Sequence, residues 1–313
     1  MTPPPVLNRR SMLSLTAAAV ASRLLWQPKS YLAHAAEAST APTSASGVGQ
    51  RYKVAASDWM MLKRQRPGAL TLAKECGLDG IELDMGPLGK RPDFQNQLRD
   101  ETFRANYLQQ AKALGLEISS LALSAFYGQP IADHPKAEQL CTDWIELIPK
   151  VTTRVGFVPV IFAKADEPAK GMGKAAGLFK QLAPKAERAG VRLGLNTPLD
   201  AAGNERLLND IGSPAVGIAY NCGEAVDAKR DVYAELQRLG KDRIAQIIPT
   251  LSDGVWLEKD QRLDLPRMKQ LLDEMGWSGW LVLQRSRDAA KARDVRYNFG
   301  ANAKYVKSVF QTG

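Results

Sequence analysis

From Arg51 onward, short apolar runs alternate with longer stretches of helical periodicity. The apolar runs predict strands over 52–57, 79–84, 116–123, 157–163, 191–196, 215–221, 243–248 and 279–284. The stretches between them predict helices near 67–76, 98–114, 135–152, 172–189, 203–211, 229–239, 265–275 and 299–310. Gly77, Gly115, Gly190, Gly240 and Gly276 fall just past helix ends, where glycine suits the cap. His134-Pro135 and Ser213-Pro214 punctuate in the complementary way. Eight strand–helix units in about 260 residues predict an α/β fold, a (β/α)₈ TIM barrel over 51–313. An open doubly wound sheet would want a Gly-rich phosphate turn after its first strand, and residues 55–66, AASDWMMLKRQR, contain no glycine.

The alternation also assigns faces. In 191–196, Val191, Leu193 and Leu195 suit the helix layer, which turns Arg192, Gly194 and Asn196 inward. The same parity turns Asn221, Ile248 and Gln284 inward at the ends of strands six, seven and eight. On strand two it turns Glu82 and Asp84 inward, Asp84 nearer the mouth, unless a bulge inverts the order. In such a barrel the chemistry lies at the carboxyl ends of the strands.

The N-terminus follows a different pattern. Asn8-Arg9-Arg10-Ser11-Met12-Leu13 leads into an alanine-rich apolar run, with no acid before Glu37 and a small-residue site at Ala33-His34-Ala35. This predicts a twin-arginine signal peptide over 1–35, export through that machinery, and a periplasmic or extracellular protein. The run is too short for a stable membrane span, and 36–50, AEASTAPTSASGVGQ, reads as a flexible linker.

Composition then narrows the chemistry. The 313 residues carry 42 Lys and Arg against 33 Asp and Glu, a net charge of +9, which invites an anionic partner. Loss of the leader removes Arg9, Arg10, Arg23 and Lys29, leaving 38 basic residues interspersed with the acids along the helices. That pattern and export set nucleic acid aside as a partner. Three scattered cysteines exclude a disulfide framework and a Cys-based zinc site. With two histidines, His34 and His134, a His-rich metal centre is excluded as well.

At its strand ends the sequence resembles the sugar phosphate isomerase/epimerase family, the xylose isomerase-like barrels related to type 2 AP endonucleases. The resemblance spans 51–313 and rests on ASDW at 56–59, ALTLAKECGLDGIEL at 69–83, GLEISSLALS at 115–124 and APKAERAGVRLGLN at 183–196. GSPAVGIAYN at 212–221, RLGKDRIAQII at 238–248 and RLDLPRMKQLLDEMGWSGWLVLQ at 262–284 extend it. The resemblance implies a divalent metal held by glutamate, aspartate, histidine and glutamate, with the glutamates moving protons beside a sugar carbonyl. Those four positions fall on Asn196, Asn221, Ile248 and Gln284. An amide neither brings charge to a cation nor takes up a proton, and isoleucine cannot replace imidazole. The expectation is a barrel without metal or other cofactor, whose amides suit sugar hydroxyls.

Other mouth residues carry two readings each. Asp58 and Trp59 supply a polar anchor and a stacking ring, or simply pack. Tyr127 and Gln129 are open in the same way. Glu82 and Asp84 form an acid–base pair, or are neutralised by Arg192 and Arg285. Lys164 binds a substrate oxygen or is a solvated strand-end lysine. His134 reads as a helix N-cap, and Glu224, three residues after Asn221 in NCGE, either moves into the site from its loop or is solvated on a helix or turn. Arg285 and Arg287 make the strand-eight loop basic, suited to a sugar acid or phosphate. The leading reading is an exported barrel that binds a carbohydrate or sugar-derived ligand, without metal-dependent isomerisation, through Asp58, Trp59, Asn196, Asn221, Gln284 and Arg285. One alternative is a metal-independent isomerase, epimerase or lyase using Glu82, Asp84 and Lys164. The other is a non-catalytic interaction scaffold.

Overall fold

The computed structural model describes residues 50–163 and 168–311. The leader 1–35, the linker through residue 49 and Lys164 lie outside the described residues. In chain order the elements are β1 Tyr52–Ser57, α1 Gly68–Glu75, β2 Gly80–Asp84, α2 Glu101–Ala113, β3 Glu117–Ala122 and α3 Ala137–Leu147. There follow β4 Val155–Pro159, α4 Pro168–Ala189, β5 Arg192–Asn196, α5 Ala201–Ile211, β6 Val216–Asn221 and α6 Cys222–Asp227. The last are α7 Val232–Leu239, β7 Ile244–Ile248, α8 Leu265–Met275, β8 Gly279–Leu283 and α9 Val295–Phe310. The strands pair in parallel, each with its sequence neighbour, and β8 closes on β1 from Tyr52↔Gly279 to Ala56↔Leu283. The (β/α)₈ barrel read from the sequence is the fold.

Outward-facing strand residues meet apolar helix stripes. Leu265, Met268 and Leu272 of α8 are buried, as are Phe299, Ala303, Val306 and Phe310 of α9, at spacings of three and four. Each large apolar side chain so buried contributes about 1.5–3 kcal/mol relative to exposure. No helix among the described residues is long and apolar enough to cross a membrane.

Inside the barrel, the floor is closed and the mouth is open. Trp280 and Arg192 fill the amino-terminal end, and two glycines make room for them. A methyl at Gly80 would lie 2.7 Å from the Trp280 ring, and one at Gly217 would lie 2.8 Å from the Arg192 guanidinium. Above them Ala55, Ala122, Phe157, Ala219, Ile248 and Val282 pack together. The ladder slips at Ile81/Glu82 and at Ile218/Ala219, yet Glu82 and Asn221 still face the interior or mouth.

Strand four differs from expectation, running over Val155–Pro159 rather than 157–163. Its length is set by β5, whose Arg192–Asn196 offer partners only to Val155–Pro159. The remaining apolar residues leave the ladder, and Phe162 packs where a methyl at Gly171 would be only 2.7 Å away. His134 does not cap α3. Lys136 holds that position, and the His134 Nδ1 accepts the Lys136 N–H at 3.2 Å, bracing the turn around Pro135.

Candidate functional site

The loops after β1, β3, β6, β7 and β8 surround a cavity of about 480 Å³ at the carboxyl mouth. Asn221, Ile248, Gln284 and Arg285 line it, with Trp59 and Tyr127 opposite. Trp59 and Tyr127 both lean on Phe157, with ring centroids 6.3 and 6.2 Å away, which gives the cavity an aromatic wall. Asn196 sits behind that surface: its Oδ1 accepts from the Tyr127 hydroxyl at 3.4 Å and its Nδ2 donates to Glu224 at 3.1 Å. Four of the proposed binding residues thus line the cavity, and Asn196 supports it.

Asp58 does not line it. It is fully buried, and its Oδ2 accepts the Gln65 N–H at 2.8 Å. Gln65 in turn donates to the Asp84 carbonyl at 2.6 Å and accepts the Gln97 N–H at 2.8 Å. These bonds hold the β1–α1 loop in a shape that puts Leu62 and Gln65 at positive φ, 59° and 52°. Such backbone costs about 1–3 kcal/mol per residue and needs this bracing. The loop delivers Trp59 and Arg64 to the cavity, so Asp58 organises the site from behind.

Glu82 and Asp84 occupy different environments rather than forming one pair. Glu82 is fully buried and bonded to four neutral donors: Ser57 Oγ at 2.7 Å, Ser120 Oγ at 2.7 Å, Gln246 Nε2 at 2.9 Å and Gln284 Nε2 at 3.3 Å. Burial raises its pKa, and the four donors only temper the rise. Asp84, also fully buried, is ion-paired to Arg64 at 2.7 Å and accepts the N–H groups of Ser124 and Gly86. Burial pushes it up to about 6, with Arg64 opposing. Burial, and then the charge of Asp84, raise Asp58 well above the carboxylate range. The neutralising cation is therefore Arg64. Arg192 lies at the floor, bonded to the Asp242 carbonyl, and Arg285 lies 3.7 Å from Asp253 at the rim. Arg287 takes Asp253 at 2.6 Å, joining the β7 and β8 loops.

Glu224, for which the sequence favours solvation on a helix or turn over a place in the site, enters the site. Asn221 caps α6, its Oδ1 accepting the N–H groups of Gly223 at 3.0 Å and Glu224 at 3.3 Å. That puts Glu224 in the first turn of a helix beginning at a strand end, pointing at the cavity. Its Oε1 accepts from Asn221 Nδ2 at 3.2 Å and its Oε2 from Asn196 Nδ2 at 3.1 Å. Burial raises its pKa, the two amide donors notwithstanding. The Tyr127 hydroxyl donates to Gln284 Oε1 at 3.1 Å, and although the residue is 39% exposed, desolvation of its hydroxyl end and then Glu224 and Glu82 raise its pKa. One hydrogen-bonded chain thus runs from Glu82 through Gln284, Tyr127 and Asn196 to Glu224. Asn-x-x-Glu at 221–224 is the spacing of a helix cap with an acid in its first turn, the signal that locates Glu224. Gln246 was also missed, although it shares the inward parity of Ile248.

As a donor set for a divalent cation, positions 196, 221, 248 and 284 offer two asparagine amides, a glutamine amide already bonded to Glu82 and Tyr127, and an isoleucine packed among apolar side chains. Among the described residues no three His, Cys, Asp or Glu side chains gather as ligands would.

Residues 70–305 match the family described as xylose isomerase-like TIM barrel. No curated protein matches the chain at a significant level. Among solved structures, it is similar to a D-allulose 3-epimerase from Methylomonas sp. in complex with D-allulose, at 12% identity and a TM-score of 0.63, covering 83% of this chain and 98% of that one. A D-psicose 3-epimerase from Clostridium cellulolyticum H10 with D-tagatose is 13% identical, with a TM-score of 0.64 over 82% and 99%. A 3-keto-D-glucoside 4-epimerase from E. coli is 14% identical, with a TM-score of 0.62 over 82% and 99%. At such identities the likeness is one of fold.

Proposed function

The chain belongs to the xylose isomerase-like TIM barrel family, and from that premise we propose that it binds a carbohydrate at the mouth of its barrel without a divalent metal. The observation that carries this reading is the convergence of the Asn221 and Gln284 amides, the Glu224 carboxylate, and the Trp59 and Tyr127 rings on one cavity. Amides and a carboxylate exchange hydrogen bonds with hydroxyls, and an aromatic wall suits the C–H face of a sugar ring. A cavity of about 480 Å³ accommodates a small sugar. Two solved neighbours contain the ketohexoses D-allulose and D-tagatose, which makes these the first sugars to try. The residues at positions 196, 221, 248 and 284 are all neutral and do not suit a hard cation.

The test is thermal unfolding with a panel of ketoses, aldoses and sugar acids, in EDTA and again with Mn²⁺ or Mg²⁺. A sugar at a hundredfold excess over its Kd stabilises by about 2.7 kcal/mol. The expected result is such a shift, equal with chelator and with metal. Loss of the shift in EDTA overturns the metal-free reading. No shift with any sugar returns the barrel to the role of an interaction scaffold.

A further inference from the structure

We propose that Glu224 is the proton-transfer group of the cavity, acting on a sugar that bears a carbonyl, with the Tyr127 hydroxyl serving the carbonyl oxygen. This rests on the carbohydrate-binding reading and goes beyond it by assigning chemistry to the site.

Three placements carry the inference. Glu224 lines the cavity, whereas Glu82 and Asp84, the acids favoured by the sequence, are fully buried and do not. Each oxygen of Glu224 has one amide donor, so lone pairs remain for a substrate; each oxygen of Glu82 already has two donors. Asp227, the other acid on the cavity, has a half-exposed side chain that faces Arg262 at 3.7 Å. Asn196 meanwhile fixes both partners at once, its Nδ2 on Glu224 and its Oδ1 on the Tyr127 hydroxyl. An acceptor and a hydroxyl are thus held at the two ends of one amide, and the single Tyr127 proton, shared between Asn196 Oδ1 and Gln284 Oε1, reaches a substrate oxygen by turning away from them. Burial, which makes Glu224 a stronger base than a solvated carboxylate, agrees with this role.

The step balances without an oxidant or co-reactant. The Glu224 carboxylate takes the proton from the carbon beside the carbonyl, and the C–H electron pair forms a C=C bond. The carbonyl π pair moves onto the oxygen, which accepts a hydrogen bond from Tyr127. Return of the proton from Glu224 to the same carbon restores the ketone. In D₂O the carboxyl proton exchanges with solvent, and the carbon becomes deuterated.

The experiment is proton NMR of D-allulose and D-tagatose incubated with the protein in D₂O containing EDTA, beside thermal unfolding with the same sugars. The expected result is protein-dependent loss of the signal from a hydrogen beside the carbonyl. Glu224→Gln should lower that rate by about 10²–10⁴-fold at a sugar concentration that saturates the variant's own thermal shift. Tyr127→Phe should lower it less. Undiminished exchange in Glu224→Gln, or stabilisation of the wild type by a sugar that shows no exchange, overturns the assignment to Glu224 alone. Absence of stabilisation by either sugar overturns the binding of ketohexoses and this chemistry with it.

Discussion

Glu82 is held by two serine hydroxyls and two glutamine amides, with no cation among its hydrogen-bond partners, at the centre of the barrel. A buried carboxylate among neutral donors retains most of its desolvation penalty, which is why burial dominates its raised pKa. Beside it the Gln246 Oε1 is buried without a partner. A donor at position 82 would meet that oxygen if the Gln246 amide turned over, although its Nε2 would then take the unpartnered place. Glu82→Gln supplies such a donor and removes the charge. We therefore expect its stability at pH 7.5 to lie within about 1 kcal/mol of the wild type or above it. A chemical-denaturation series measures this, and a loss of several kcal/mol would show that the charge itself holds the strands together. Period-two alternation places Glu82 inward, and that much is legible in the sequence. Which cation meets which acid is not, because Arg64 reaches Asp84 through a loop whose shape depends on Asp58 and Gln65.

The same divide recurs among the elements. Five helices start on an aspartate whose side chain accepts a backbone N–H of the first turn: Asp100, Asp200, Asp231, Asp264 and Asp294. Those caps help make the helices visible in the sequence. α6 differs, since its cap, Asn221, is also the last residue of β6 and part of the cavity wall. A six-residue helix starting directly at a strand end leaves no loop to read, so the sequence leaves Glu224 between a solvated helix or turn and the site. β4 was misplaced for a related reason. Hydrophobicity marks what is buried, whereas a strand's length is fixed by its partner, and Ile161 to Ala163 have none. Because Asn221 is both cap and Glu224 donor, Asn221→Ala should cost about 1 kcal/mol in stability and also release one oxygen of Glu224. Asn221→Ser keeps a cap without the amide donor. Equal sugar affinity in Asn221→Ser and the wild type, measured by calorimetry, would show that the donor to Glu224 is dispensable for binding.

Across the whole molecule, two sets of acids respond to pH in opposite senses. Asp58, Glu82, Asp84 and Glu224 are raised by burial, so the folded state binds their protons more tightly than the unfolded chain does. Their contribution is fully present below about pH 4 and is lost as pH rises through their folded values, about 6 for Asp84. Moving Asp84 alone from 3.8 to about 6 corresponds to on the order of 3 kcal/mol by pH 8. Asp93, Asp253, Asp260 and Asp273 are lowered by bonds to Arg99, Arg287, Arg262 and Lys269, and their contribution is lost as pH falls below the ordinary carboxylate range. Self-repulsion in a chain already at +9 adds to the loss in acid. The two sets leave a maximum between them, so Tm should peak near pH 5 and fall towards both pH 8 and pH 3. Scanning calorimetry from pH 3 to 9 tests this, and a Tm that climbs steadily to pH 8 would mean the mouth acids are ionised in the folded protein at little cost. Their burial follows from the eight alternations that the hydrophobic pattern displays, because a closed barrel leaves inward acids only the floor, the middle or the mouth. The depth at which each comes to rest depends on loop contacts between residues distant in sequence, and from that depth follows which acid is left open to a ligand. Among the described residues of this barrel, the acids on the cavity are Glu224 and Asp227, and Asp227 is drawn towards Arg262.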